Sequence, residues 1–101
     1  MVINTKAIFH AFAAKHGTAT VSLNDWYEKV KAAQWSNFND VRLTFNSADS
    51  TDNDRYVFNI VENNFRIVAM VHFTIQTLYI RAILTHKEYD LLIKTQRLTS
   101  L

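Results

Sequence analysis

The chain has 101 residues, with no cysteine, no proline, a single glycine at position 17 and a formal net charge of +2. A chain of this length is expected to form one domain, residues 1–101, and the lack of cysteine excludes both a disulfide framework and a cysteine metal site. The single glycine excludes the Gly-rich phosphate-binding loops, and without a run near ~18 apolar residues we expect a soluble, cytoplasmic protein with no membrane partner.

The first forty residues predict two helices joined as a hairpin. Apolar residues recur at helical spacing after Asn4 or Thr5, either of which can cap the first helix, and Gly17 is placed to end it. The second helix is expected to start with Ser22 as its cap and to bury Trp26. The connection between the two helices is rich in threonine.

The chain becomes β-like from residue 55 onward. Three runs rich in β-branched and aromatic residues, 55–61, 65–73 and 78–84, predict an antiparallel meander. Both faces of the last two strands are apolar, so helices are expected to cover much of this sheet. Before the meander, residues 41–45 fit a short strand and a helical turn equally well, and residues 46–54 predict a loop.

The length of the turn before the last strand decides which side chains share a face. A three-residue turn at 75–77 puts Arg66 directly across from His86, and directly opposed side chains lie close together. A turn of two or four residues moves Arg66 to the face of Arg81 instead. The sequence leaves these registers open.

A short helix is predicted to follow the last strand. Thr85 at the cap position and Glu88 three residues later have the spacing of a capping box, so the helix should run from Lys87 to about Lys94. The whole pattern predicts an α+β fold, in which an N-terminal helical hairpin packs on a small antiparallel sheet of about three strands and a short C-terminal helix follows.

Several polar residues are not explained by a packed core. Arg66 and Arg81 lie inside otherwise apolar strands, and arginine keeps its charge, so each must reach water, a carboxylate or an anionic ligand. His86 and Lys87 stand where the chain leaves the sheet and starts a helix, and unpaired N–H groups at a helix start suit a phosphate. Residues 65–101 carry a net charge of +3, which is compatible with an anionic partner and equally with a solvated surface.

Four segments of the second half carry a resemblance to a known family. They are Tyr56-Val57-Phe58-Asn59-Ile60, Asn64-Phe65-Arg66-Ile67-Val68-Ala69, Tyr79-Ile80-Arg81 and Thr85-His86-Lys87-Glu88-Tyr89-Asp90. Together they look like the HigB toxins, which are mRNA-cleaving members of the RelE/ParE-like toxin superfamily. The similarity covers about residues 55–92, and the Thr-His-x-Glu-Tyr-Asp motif is its most specific part.

The resemblance implies a RelE-like fold and a role as the toxin of a bacterial type II toxin–antitoxin system. The implied activity is ribosome-dependent cleavage of mRNA without a cofactor or metal, and the implied partner besides mRNA is a HigA-type antitoxin with a helix-turn-helix. Two alternatives remain open at this point. The same scaffold can poison a target other than RNA, as the gyrase-directed relatives do, or it can belong to a regulatory protein that has lost toxicity.

The expected reaction is metal-free attack of a ribose 2′-OH on its own 3′ phosphate. Such a reaction needs a base, an acid and cations around a crowded phosphate. In the superfamily an arginine early in the penultimate strand helps to hold the scissile phosphate, and Arg66 occupies that position. The family's basic residue that leaves the last strand corresponds to His86 or Lys87, and its nearby aromatic or acid–base residue corresponds to Tyr89. The expected catalytic residues are therefore Arg66, His86, Lys87 and Tyr89, and Arg81 and Arg55 are expected to contact the RNA.

Overall fold

The computed structural model describes residues 1–51, 55–60 and 64–95. Within these ranges the chain forms four α-helices, one short 3₁₀ helix and a five-stranded sheet, which confirms the α+β class. The elements in chain order are β1 (Val2–Asn4), α1 (Lys6–Lys15), the 3₁₀ helix (Gly17–Ala19), α2 (Thr20–Ala32), α3 (Phe38–Thr44), β2 (Asp49–Thr51), β3 (Arg55–Ile60), β4 (Phe65–His72), β5 (Thr77–Thr85) and α4 (His86–Lys94). No helix in the described part of the chain is long and apolar enough to cross a membrane.

The sheet is larger than the predicted three-stranded meander. Its strand order is β1-β5-β4-β3-β2, and β1 runs parallel to β5 while the other neighbours are antiparallel. The predicted meander is the centre of this sheet, and two edge strands of three residues each extend it. Three residues are too few to show an alternating pattern, so β1 was missed and β2 lies within the predicted loop at 46–54. Residues 61–63, between β3 and β4, fall outside the described residues.

The N-terminal hairpin differs from its prediction at the connection. Helix α1 ends at Lys15, and Gly17 does not follow it as a left-handed cap but opens the 3₁₀ helix. The 3₁₀ helix leads directly into α2 at Thr20, so Ser22 lies inside α2 and does not cap it. When a helix continues from a preceding turn, its first N–H groups can bond to the carbonyls of that turn. Helix α2 therefore does not need a serine cap.

Residues 41–44 of the ambiguous stretch belong to a helix, and Phe45 follows it in an extended conformation. Helix α3 is capped by Asn37, whose side-chain oxygen accepts a hydrogen bond from the Asp40 N–H at 3.1 Å. Among the alternating apolar residues of this stretch, Val41 is fully buried and anchors α3 in the core.

The sheet is covered on both of its faces. Helices α1, α2 and α3 pack on one face around the buried rings of Trp26, Trp35 and Phe58. Helix α4 packs on the other face, which we call the α4 face, and there it covers the buried residues Val57 and Val68. Burial on both faces explains why the three central strands are largely apolar.

The pairing of β4 with β5 contains one extra residue. The turn between the strands has four residues, 73–76, and the strands stay in one register up to the pair Ala69–Ile80. The next pair is Val68–Ala82, so Arg81 is inserted into β5 as a bulge.

This bulge reverses the effect of the four-residue turn. With that turn alone, Arg66 would lie on the face of Arg81, as one of the open registers predicted. The bulge shifts the pairing by one residue, and Arg66 lies opposite Leu84. Residues two apart in a strand share a face, so the chain at His86 continues on the face of Arg66.

Candidate active site

The start of α4 is held by the predicted capping box. The Thr85 hydroxyl accepts from the Glu88 N–H at 3.2 Å, and the Glu88 carboxylate accepts from the Thr85 N–H at 2.9 Å. The backbone N–H of His86 donates to the Asn64 carbonyl at 3.0 Å, which ties the helix start to the beginning of β4. His86, and not Lys87, is the first helical residue.

Removing this cap should loosen the helix without breaking the sheet. We expect Thr85→Ala to lower the free energy of unfolding by about 1 kcal/mol, because the Glu88 N–H loses the hydroxyl that accepts its hydrogen bond. Urea unfolding of the purified protein measures the change. Thr85→Ser keeps the hydroxyl and should stay close to the unmodified protein. If both variants lose the same free energy of unfolding, the loss does not come from the hydroxyl, and the capping hydrogen bond is not what stabilises the helix.

Arg66 is the central residue of the site. Its side chain is on the α4 face and only 9% of the residue is exposed. Its Nη2 lies 3.2 Å from Nδ1 of His86, and its Nη1 donates to the Phe65 carbonyl at 3.3 Å. The guanidinium also sits over the ring of Tyr89, 5.4 Å from the ring centroid, in a cation–π arrangement. Arg66 is therefore held in place by two ring systems and its own backbone.

The contact with Arg66 determines which nitrogen of the neutral His86 ring carries the proton. Arginine has only donors, so the Nδ1 of His86 must accept in this contact. A neutral ring then carries its proton on Nε2, which lies 3.4 Å from the Asp90 carboxylate. Arg66, His86 and Asp90 thus form a row in which each nitrogen of the imidazole has a defined neighbour.

Tyr89 completes the cluster from the first turns of α4. Its ring packs on the buried pair Val57 and Val68. Burial raises the pKa of the Tyr89 hydroxyl, and the carboxylate of Asp49 raises it further, while Arg66 lowers it and Asp90 raises it. The phenol is therefore protonated at neutral pH, so it can donate a proton and does not act as a base there.

The structure brings together three of the six residues expected from the sequence, namely Arg66, His86 and Tyr89. Lys87 is exposed on the first turn of α4, beside this cluster in sequence. Arg81 is exposed in the bulge of β5. Arg55 is buried on β3, four residues from Asn59, which is the residue opposite Arg66, so about 13 Å of strand separates the two arginines.

Two carboxylates at the site were not singled out from the sequence. Asp90 follows His86 by four residues, the spacing that brings side chains together on a helix, so this contact was predictable in principle. Asp49 reaches the neighbourhood of Tyr89 through β2, where it pairs with Val57, and no local pattern indicates this. Among residues 1–51, 55–60 and 64–95, no three His, Asp or Glu side chains are grouped so as to hold a metal ion.

The fold and site together define a small α+β protein with a fixed arginine and a histidine at the exit of the sheet. Residues 19–92 match the model of the HigB toxin family, described as the RelE-like toxic component of a toxin–antitoxin system. Because this match covers well over half of the chain, the protein belongs to the HigB toxin family.

Curated relatives extend this similarity. The mRNA interferase HigB of Escherichia coli O6:H1 is 29% identical over 99 residues, which are 96% of each chain. The mRNA interferase toxin HigB of Escherichia coli K12 is 60% identical over 35 residues, 35% of this chain and 34% of that protein. The mRNA interferase HigB of Shigella flexneri has the same identity over a stretch of the same length.

Proposed function

We propose that this protein is an mRNA endoribonuclease that inhibits translation by cleaving mRNA on the ribosome. The relative that matches over 96% of the chain is named an mRNA interferase, which supports the substrate. The observation that carries the proposal is the contact between Arg66 Nη2 and His86 Nδ1 at 3.2 Å. It puts a permanent cation next to a group that can transfer a proton.

The proposed reaction is an attack of the ribose 2′-OH on the phosphorus of its own 3′ phosphate. The new 2′-O–P bond forms as the bond from phosphorus to the 5′-oxygen of the next nucleotide breaks. The 2′-OH loses one proton and the leaving 5′-oxygen gains one. His86 carries one of these two transfers through Nδ1, once the Arg66 guanidinium has moved from Nδ1 to the phosphate. The products are a 2′,3′-cyclic phosphate and a free 5′-OH.

The cations of the site stabilise the charge that develops on the phosphate. The planar guanidinium of Arg66 can bind two phosphate oxygens at once, and Lys87 adds a mobile charge beside it. The N–H groups of Thr85, His86 and Glu88 at the start of α4 already have partners, so the cations and not these N–H groups are proposed to bind the phosphate. Arg81 and Arg55 are proposed to contact the RNA on either side of the scissile phosphate.

Asp90 has a proposed role through His86. A carboxylate next to one ring nitrogen selects the tautomer and orientation of an imidazole, which improves its acid–base function. The separation of 3.4 Å between His86 Nε2 and Asp90 Oδ2 supports this role.

Tyr89 is proposed to support Arg66 with its ring. The ring lies against the guanidinium and also packs on Val57 and Val68, so it holds the arginine in position for the phosphate. The hydroxyl group is a second candidate for contact with the RNA, as a donor.

Two substitutions separate the ring of Tyr89 from its hydroxyl. We expect Tyr89→Phe to keep mRNA cleavage within about threefold, because phenylalanine retains a cation–π partner for Arg66. Tyr89→Ala should lower kcat about 5- to 30-fold, since the loss of a desolvated cation–π contact is worth about 1–2 kcal/mol. Timed cleavage of a defined mRNA measures both. A loss in Tyr89→Phe as large as in Tyr89→Ala would assign the function to the hydroxyl instead.

Mapping of RNA ends tests the proposed function against its alternatives. Expression of the protein in growing bacteria should stop growth and produce new 5′ ends inside mRNAs, which primer extension detects. A toxin that acts on a target other than RNA would stop growth without new ends. A non-toxic regulatory relative would leave both growth and mRNA unchanged.

We propose a HigA-type helix-turn-helix protein as the antitoxin of this toxin, and the bacterial cytoplasm as its place of action. Membership of a family of toxic components supports an antitoxin partner. Co-expression of a small helix-turn-helix protein from the neighbouring reading frame should restore growth. Continued growth arrest, with both proteins present in the cell, would contradict this partner.

A further inference from the structure

The bulge in β5 needs a determinant beyond the apolar pattern. Ile67, Val68 and Ala69 are all fully buried, although successive residues of a strand point to opposite faces. Loss of the bulge would leave β4 in place and move Ala82, Ile83 and Leu84 of β5 to the opposite faces, which exchanges one apolar residue for another. Hydrophobic burial therefore specifies the register only weakly here, and a specific contact must hold it.

Thr5 makes such a contact at the bulge. The parallel ladder of β1 with β5 ends at the pair Asn4–Tyr79, one residue before Ile80. There the chain turns away into α1, and the Thr5 hydroxyl lies 2.7 Å from the Ile80 carbonyl oxygen. The hydroxyl proton is shared with the carbonyl of Asn4, which also accepts from it. Ile80 is the last residue in register before the inserted Arg81, so this hydrogen bond lies at the edge of the bulge.

The backbone of Thr5 adopts a strained conformation. Its φ is 60° and its ψ is 43°, the left-handed region that β-branched residues avoid. Its side chain makes no capping hydrogen bond to α1, although it occupies the cap position. The strained backbone of Thr5 therefore occurs together with the contact to Ile80 and without a side-chain cap of α1.

We propose that Thr5 is a positioning residue, whose hydroxyl holds the bulge of β5 and thereby keeps Arg66 on the face of His86. The bulge is what sets Arg66 opposite Leu84, and the 3.2 Å contact between Arg66 and His86 depends on this pairing. The effect of Thr5 on cleavage rests on the proposed nuclease function, whereas its effect on the Arg66–His86 contact does not.

The test compares Thr5→Gly with Thr5→Ser. Glycine adopts a positive φ without strain, so Thr5→Gly removes the hydroxyl while favouring the same backbone conformation. Serine keeps the hydroxyl. Thr44→Val is the matched control, since it removes a threonine hydroxyl that accepts from the Trp35 indole at 3.1 Å, on the opposite face of the sheet.

Two readouts are measured on the folded proteins. Nitrogen-15 NMR of the imidazole rings, with His86→Ala used to assign the signals, reports whether Nδ1 of His86 accepts a hydrogen bond in a single tautomer. Cleavage of a defined mRNA gives kcat and KM. We expect Thr5→Gly to lose the single tautomer and to lower kcat about 10- to 100-fold, because a displacement near 1 Å has effects of this size. Thr5→Ser and Thr44→Val should keep both properties.

An unchanged His86 tautomer in Thr5→Gly would overturn the proposal, and so would the same loss in Thr44→Val. A Thr5→Gly protein that does not fold would also overturn it, since the proposal assigns the hydroxyl a local effect. If the unmodified protein does not cleave mRNA, the proposed function fails, and the NMR comparison still decides the role of Thr5.

Discussion

Replacing Arg66 with alanine is expected to lower kcat for mRNA cleavage by about 10²- to 10³-fold, with a smaller change in KM. The guanidinium is the buried cation of the site, and its position is set by His86, Tyr89 and the Phe65 carbonyl. A preorganised donor stabilises the transition state more than the bound ground state, which places the effect in kcat. Single-turnover cleavage of a defined mRNA measures the rate.

The control for this substitution is another arginine of the same chain. Arg42 is exposed on α3, which packs on the opposite face of the sheet, and its Nη2 donates to the Asn46 carbonyl at 3.0 Å. Arg42→Ala removes a charge of the same kind and should leave kcat within about twofold of the unmodified protein, since Arg42 lies away from the proposed phosphate site. Arg66→Lys tests geometry, because lysine keeps the charge without the planar fork. Full activity in folded Arg66→Ala would remove Arg66 from the mechanism.

Replacing His86 with alanine should have an effect of similar or greater size. General acid–base catalysis contributes about 10²- to 10⁴-fold, and His86 is the residue proposed to transfer a proton. We expect this loss in kcat while the folded state is little changed, because the side chain is exposed and its contacts are with Arg66 and Asp90. The same single-turnover assay measures it, and thermal unfolding checks the fold.

A second histidine serves as the control for His86. His72 is exposed at the far end of β4, about 20 Å along the strand from Arg66, and its ring contacts that of Tyr79. His72→Ala should cleave mRNA at the unmodified rate. If His86→Ala and His72→Ala are equally active, the proton is carried by another group, and the Arg66–His86 contact is structural.

The sequence was most informative where local chemistry decides the structure. The capping box at Thr85 and Glu88 is a four-residue signal, and α4 starts within one residue of its predicted position. The three central strands were also identified, because β-branched and aromatic residues fill them. Arg66 and His86 were identified as site candidates because a packed core requires no charged or polar side chain at either position.

Features that depend on distant partners were not predictable in this way. Strand β1 has three residues and forms by pairing with β5, and β2 forms by pairing with β3, so neither has a pattern of its own. The bulge at Arg81 leaves no local signal either, and the sequence therefore left the face of Arg66 open. The electrostatic interaction of Asp49 with Tyr89 was missed because it requires strand β2, which carries Asp49.

The chemistry of the cleaved ends tests the central claim most directly. The purified protein is incubated with mRNA bound to ribosomes, and the two ends created at each cut are identified. Attack by the ribose 2′-OH predicts a 2′,3′-cyclic phosphate on the upstream fragment and a 5′-OH on the downstream fragment. A 3′-OH with a 5′-phosphate, or mRNA that stays intact on the ribosome, would contradict the proposed mechanism of this protein.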